Sequence, residues 1–192
     1  MSAAADSAGS AGPAPGGSEA AVAFRDVGVE FRANDGTLYP AVRNLTLGFG
    51  NGEFVAVVGP TGCGKSTLLN LVAGILDPTG GEVRAFGRRV AGIQRGIGYM
   101  FQNEALLPWL TARDNVALGL KFRREKAAVA AARADEWLAR VGLAGFGDRF
   151  PHQLSGGMRK RVALAQMMIM DPKILLMDEP FSALDVQTRQ LM

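Results

Sequence analysis

The chain has a single cysteine, Cys63, so no internal disulfide can form. That suits a reducing compartment. No run of about 18 apolar residues occurs, which excludes a transmembrane helix in this sequence. The first twenty residues, MSAAADSAGSAGPAPGGSEA, lack both a basic start and an apolar stretch, so they do not form a secretory signal. The expectation is a cytoplasmic protein that meets a membrane only through a partner. Charge of one sign is also scarce: 21 basic against 18 acidic residues leave a net +3. Such a weak excess does not point to nucleic acid, which is normally met by a clustered basic face. There is no internal repeat.

What remains is an ordinary globular composition, 48% apolar and 20% charged over 192 residues, enough for one domain with a sizeable core. Residues 1–20 are Ala, Gly, Ser and Pro with little to bury, and are expected to form a disordered tail. Structure is expected over 21–192. Alternation predicts a strand over Val22–Phe31, Asn34-Asp35-Gly36 a turn, and Val42–Phe49 a second strand closed by Gly50-Asn51-Gly52. The β-branched run Glu53–Val58 has the character of a strand buried on both faces, as does Lys173–Met177. A Gly-rich stretch follows from Gly80 to Gly98. Residues 125–141 predict a helix, with Val129, Ala132, Glu136, Trp137 and Val141 at helical intervals.

The chemistry is carried first by Gly59-Pro60-Thr61-Gly62-Cys63-Gly64-Lys65-Ser66-Thr67, a match to the phosphate-binding pattern G-x-x-x-x-G-K-[ST]. It lies between the predicted strand and a helix-forming run, Leu68–Gly74. Glycines let backbone amides turn inward around phosphates, and the helix N-terminus adds positive potential there. Lys65 is placed to reach the β- and γ-phosphates and Ser66 to ligate Mg²⁺. Cys63 is a small loop residue without a catalytic role. The second element is Ile174–Glu179, an apolar strand ending in two carboxylates. Carboxyl ends of strands are where open α/β sheets bind ligands. Asp178 suits Mg²⁺, and Glu179 suits the polarisation of an attacking water as a general base.

Leu154-Ser155-Gly156-Gly157-Met158-Arg159-Lys160-Arg161 resembles the signature sequence of ABC ATPases. Phe101-Gln102 resembles that family's Q-loop and Ser182-Ala183-Leu184-Asp185 its D-loop, and Pro180 follows the acidic pair as usual there. The resemblance runs from about residue 22 to the end. It implies an α/β fold: a P-loop NTPase core with a mostly parallel sheet and flanking helices, an N-terminal antiparallel β-subdomain, and an inserted helical subdomain at about 103–165.

The resemblance further implies a head-to-tail homodimer. ATP with Mg²⁺ is sandwiched between the phosphate loop of one copy and Ser155, Gly156 and Gly157 of the other. Gln102 contacts Mg²⁺ and the lytic water, Asp185 belongs to the same cofactor site, and Phe31 stacks on adenine, with Tyr39 as the alternative. Partners would be an integral membrane permease, on the cytoplasmic face of the membrane, and an extracytoplasmic solute-binding protein. No nucleic acid is implied. Trp109 is left open between core and partner contact.

Leu107–Thr111, Gly156–Arg159 and Phe181–Arg189 are similar to importers for nitrate, taurine and aliphatic sulfonates. Alternatives are a soluble ABC ATPase of DNA repair or translation, which the absence of long insertions or tandem domains disfavours, a nucleotide-binding fragment without hydrolysis, and a P-loop kinase. Two departures stand out. Gln166 replaces the usual Arg. The family's switch histidine is absent, because the sole histidine, His152, precedes the signature and is expected in a loop. The expectation is a chain truncated before that segment, lacking its last core elements. A strand of the parallel sheet would then lose a neighbour, and the isolated chain would be poorly soluble and hydrolyse ATP weakly or not at all.

Overall fold

The computed structural model describes residues 20–103 and 105–180. The predicted tail lies almost wholly outside them, as do Ser182 and Asp185. The chain divides into two compact units, 1–94 and 95–192.

In the first unit β1 (Ala20–Arg32) pairs antiparallel with β2 (Leu38–Gly50) and with β3 (Gly80–Ala85). A short β4 (Arg88–Arg89) completes the sheet, in the order β2-β1-β3-β4. The hairpin turns where Asn34-Asp35-Gly36 predicts it, with the Gly36 N–H donating to Ala33 O at 2.9 Å. Asp35 accepts from the Thr37 N–H, and that bond holds its carboxyl below the usual range.

Besides Ala21 and Ala23, the buried residues of β1 are spaced two, three, then two apart: Val22, Phe24, Val27, Val29. Strict alternation would turn half of them outward. The register shifts between Phe24 and Val27, where Asp26 takes a left-handed φ of 47° and its N–H donates to Thr46 Oγ1 at 3.0 Å. This bulge absorbs the extra residue and returns the valines to the core. Gly81, at φ 72°, backs onto the bulge: a Cβ there would lie 2.2 Å from the Asp26 carbonyl oxygen. Gly81→Ala therefore meets backbone in a conformation that alanine avoids. It should cost about 2–3 kcal/mol in urea unfolding, and a cost below about 0.5 kcal/mol would contradict this account.

Glu53–Val58 departs from expectation. It joins no strand, and Phe54 and Val58 are 97% and 90% exposed. A strand buried on both faces exists only with hydrogen-bonded neighbours on its flanks. Among the described residues no backbone ladder reaches this run, so its β-branched composition goes unused. α1 (Lys65–Ala73) follows, burying Leu71, Val72 and Ala73 and ending on left-handed Gly74.

The second unit holds α2 (Ala112–Phe122), α3 (Ala127–Arg140) and α4 (Gly156–Met168), with β5 (Ile97–Met100) and β6 (Ile174–Met177) paired in parallel. A parallel pair needs a long crossover, and the three helices lie within it. α4 continues past residue 165. The core joins Val116 and Leu120 of α2, Ala130, Ala134 and Leu138 of α3, and Val162 and Ala165 of α4. Helix α3 forms as predicted but turns a different face inward: Val129, Ala132 and Glu136 are exposed, while alanines four apart let the neighbouring helices approach.

Helix ends are closed by side chains. Thr111 Oγ1 accepts from the Asp114 N–H at 3.2 Å at the start of α2, and Lys121 and Thr111 hold the Asp114 carboxyl low. The carbonyls of Ile169 and Met170, past the end of α4, accept from Arg133 and Arg123. Arg113 bridges Asp135 and Asp148. His152 sits in a 3-10 turn, Pro151–Gln153, rather than an irregular loop, and stacks on Phe150. Among the described residues no helix is long and apolar enough to cross a membrane.

Candidate functional site

The phosphate loop belongs to the first unit. Gly59 to Cys63 run exposed towards α1, whose N-cap is the half-buried Gly64 at φ 95°, ψ 8°. A Cβ at Gly64 would lie 3.0 Å from the Ala41 carbonyl oxygen, in a backbone region where only glycine is unstrained. Gly64 also has no side chain to cap the helix, and no side-chain cap bond is made. The first-turn N–H groups of Lys65, Ser66 and Thr67, which have no acceptor within the helix, thus face an anion-binding position. Lys65 curls back over the loop: its Nζ donates to Gly59 O at 2.9 Å and Pro60 O at 2.8 Å, with Cys63 Sγ at 4.0 Å. Thr61 and Gly62 are exposed at the turn. This set of donors fits a polyphosphate. The Ser66 hydroxyl and a carboxylate such as Asp178 are hard oxygen ligands of the kind Mg²⁺ takes.

The two candidate stacking rings are cross-strand partners, Phe31 opposite Tyr39, beside the turn that closes the β1–β2 hairpin. Directly opposed residues share a face, and both rings are about half exposed, at 45% and 55%. Neither is a core aromatic.

The carboxylates belong to the second unit. The parallel register pairs Met100 with Met177, so β5 and β6 end level. The Asp178 N–H donates to Met100 O at 2.9 Å, extending the ladder by one bond. Gln102 and Glu179, each two residues beyond its strand, then meet: Gln102 Nε2 donates to Glu179 Oε2 at 2.9 Å. Glu179 takes a left-handed φ of 48°, which costs a non-glycine residue about 1–2 kcal/mol and is the sort of strain that functional sites retain. Tyr99 lies beside Phe101, ring centroids 4.3 Å apart. Burial pushes the Tyr99 hydroxyl up to about 12, with the nearby Asp178 charge adding to the shift.

Ser155 is the N-cap of α4, its Oγ accepting from the Met158 N–H at 3.2 Å, so Gly156 and Gly157 form the opening turn. Trp109 is 69% exposed, which removes it from the core. Its loop is held by Asn115, a fully buried side chain that sequence reasoning passed over. A polar residue on the apolar face of α2, beside Ala112 and Val116, was the available signal. Lys160 was also passed over, because Arg159-Lys160-Arg161 has the pattern of a solvated charge run, yet Lys160 is only 8% exposed.

The family model described as ABC transporter matches residues 42–182. Among curated proteins, the chain is 44% identical over 164 residues to the taurine import ATP-binding protein TauB of Pelagibacter ubique, covering 84% of this chain and 61% of that protein. It is 48% identical over 151 residues to TauB of Pseudomonas aeruginosa, covering 79% and 57%. To the nitrate import ATP-binding protein NrtD of Synechocystis it is 45% identical over 152 residues, covering 79% and 57%. The chain thus spans about 60% of the length of these relatives. Among solved structures, the ATP-binding cassette MJ0796, in a dimeric post-hydrolysis state bound to ADP and Pi, superposes with a TM-score of 0.80 at 34% identity, covering 88% of this chain and 78% of that one. A second dimeric structure of MJ0796, described as a bacterial ABC transporter cassette, gives 0.79. With the family model matching most of its length, the chain belongs to the ABC transporter family.

Proposed function

We propose that this chain is the ATP-binding and ATP-hydrolysing part of an ABC importer. The observation that carries the hydrolytic reading is the Gln102–Glu179 pair at the level ends of β5 and β6. Lys65 and the first-turn amides of α1 bind the phosphates, and Phe31, with Tyr39 beside it, supplies the surface for adenine. Ser66, Gln102 and Asp178 would hold Mg²⁺, whose charge offsets that building on the phosphate oxygens. Glu179 orients water and takes its proton, while Gln102 holds the Glu179 carboxylate in place.

Ser155, Gly156 and Gly157 meet the nucleotide of a second copy, in keeping with the dimeric state named for MJ0796. Asp185 lies outside the described residues, and the same role in the cofactor site is proposed for it. The partners are a membrane permease, which places the chain on the cytoplasmic face, and an extracytoplasmic solute-binding protein. The names of the taurine and nitrate relatives support a small anionic or zwitterionic solute of the nitrate, sulfonate or taurine kind.

The test is Mg-ATP binding and phosphate release by the chain and its Glu179→Gln variant. The variant should keep its ATP affinity and lose phosphate release by about 10²–10⁴-fold. Measurable and equal release by both proteins, or no ATP binding by either, would refute the reading.

A further inference from the structure

Lys160 lies in α4, the helix opened by Ser155, Gly156 and Gly157. Its neighbours Arg159 and Arg161 donate to main-chain carbonyls of Leu154 and of Val141 and Gly142. Lys160 points elsewhere. A lysine on a helix surface ordinarily lays its methylenes on apolar neighbours and leaves its amine in water. Here the residue is 8% exposed, and its Nζ donates inward to the carbonyl oxygen of Pro180 at 3.3 Å. Burying an amine is unfavourable unless it is hydrogen-bonded, so this contact constrains both ends.

The constrained segment is the one that carries Glu179. On one side the Asp178 N–H is bonded to Met100 O, on the other Pro180 O is bonded to Lys160, and between them Glu179 holds a left-handed φ of 48°. Such a conformation in a non-glycine residue persists only where the surroundings over-determine it. The ladder bond fixes the near end of the segment and Lys160 its far end.

We propose that Lys160 is a positioning residue, tying the exit of β6 to the signature helix so that the Glu179 carboxylate is held against Gln102. The proposal rests on the reading of Glu179 as the water-activating group. It adds a physical link between two functions of one chain: the helix whose N-terminus meets the second copy's nucleotide also sets the place of the chain's own general base. A shift of α4 is passed to the segment that carries Glu179 through the Lys160–Pro180 bond.

The test needs no turnover. In the 192-residue chain, Lys160→Met keeps the length of the side chain and removes the donor, whereas Lys160→Arg keeps a donor. Two signals are followed: hydrogen exchange of the Asp178 backbone amide, and the Gln102 side-chain amide resonances, with Glu179→Ala marking where those resonances fall when the carboxylate is gone. In K160M, Asp178 exchange should rise about tenfold or more, and the Gln102 signals should move to their E179A position. Exchange at Val116 and Leu138 in the helical core should stay unchanged, and K160R should restore both signals. Native Asp178 exchange and native Gln102 signals in K160M would overturn the proposal, as would K160R behaving like K160M. If K160M unfolds the helices, Lys160→Leu, which also lacks the donor, carries the same comparison. Failure of the underlying functional reading shows separately, as absence of ATP binding by the unaltered chain.

Discussion

Asn115→Ala should destabilise the second unit by about 3–5 kcal/mol, a large part of the roughly 5–15 kcal/mol that holds a typical domain together. The Asn115 side chain is fully buried and satisfied at both ends. Its Oδ1 accepts from the Leu107 N–H at 2.8 Å, and its Nδ2 is shared among the carbonyls of Leu107, Leu110 and Thr111 at 3.0–3.1 Å. Alanine removes every one of these bonds and leaves the Leu107 N–H and the Leu110 carbonyl without that partner, while the Leu107 and Thr111 carbonyls keep their backbone donors. A group left unpaired in this way costs about 1–3 kcal/mol, and the emptied volume adds to it. Asn115→Asp should be no better. It can still accept from Leu107, but it brings a negative charge against three carbonyl oxygens. Urea unfolding supplies the energies. Proteolysis should cut first within Leu107–Thr111, because Asn115 pins that loop to α2. A loss below about 1 kcal/mol for the alanine variant would mean that water replaces the side chain, and the hub would be no hub.

Lys65→Ala should lower ATP affinity by about 2–3 kcal/mol, roughly 30- to 160-fold, with little effect on stability. The asymmetry follows from where the amine now sits. Its two bonds, to the carbonyls of Gly59 and Pro60, lie in an exposed loop where water can replace them, so the folded chain loses no more than about 0.5 kcal/mol. A bound triphosphate instead offers several anionic oxygens to a point charge, and charge-assisted bonds are about twice as strong as neutral ones. Arginine should not rescue binding, since a planar fork cannot take the place of a compact ammonium inside the loop. The comparison is a titration with ATP beside thermal unfolding of the same samples. Equal affinity with lowered stability would reverse the assignment and make Lys65 a structural clasp.

Much of this was legible in the sequence, and for a shared reason. Features written in adjacent residues came through: the Asn34–Gly36 turn, the Gly64–Lys65–Ser66 entry to α1, the Ser155 cap of α4, and the end of β6 at Asp178-Glu179. Features that depend on distant partners did not. Glu53–Val58 has the composition of a central strand, but composition cannot supply the neighbours that make one. The helix at Ala127–Arg140 was visible, while its inward face was not, because small alanines carry almost no hydrophobic signal although they decide how closely helices pack. Lys160 is a polar residue held by Pro180, well away from it in sequence, and Asn115 is held by the loop before its own helix, whose path composition does not reveal. The meeting of Gln102 with Glu179 needed the register of β5 on β6. Once that register is known, the equal offset of both residues from their strand ends makes the contact unavoidable.

That register also divides the chain by its tolerance to insertion and deletion. Between β5 and β6 the polypeptide travels through three helices, and loops there can lengthen at little entropic cost. The few residues from Tyr99 to Gln102 and from Leu176 to Glu179 have no such latitude. Gln102 and Glu179 each stand two residues past a strand end, so one residue gained or lost in either segment would shift one of them along the chain and separate the pair. Insertions should therefore be tolerated in the loops of the crossover and not between either strand and its glutamine or glutamate, and a change in one of the two segments is made good only by a matching change in the other.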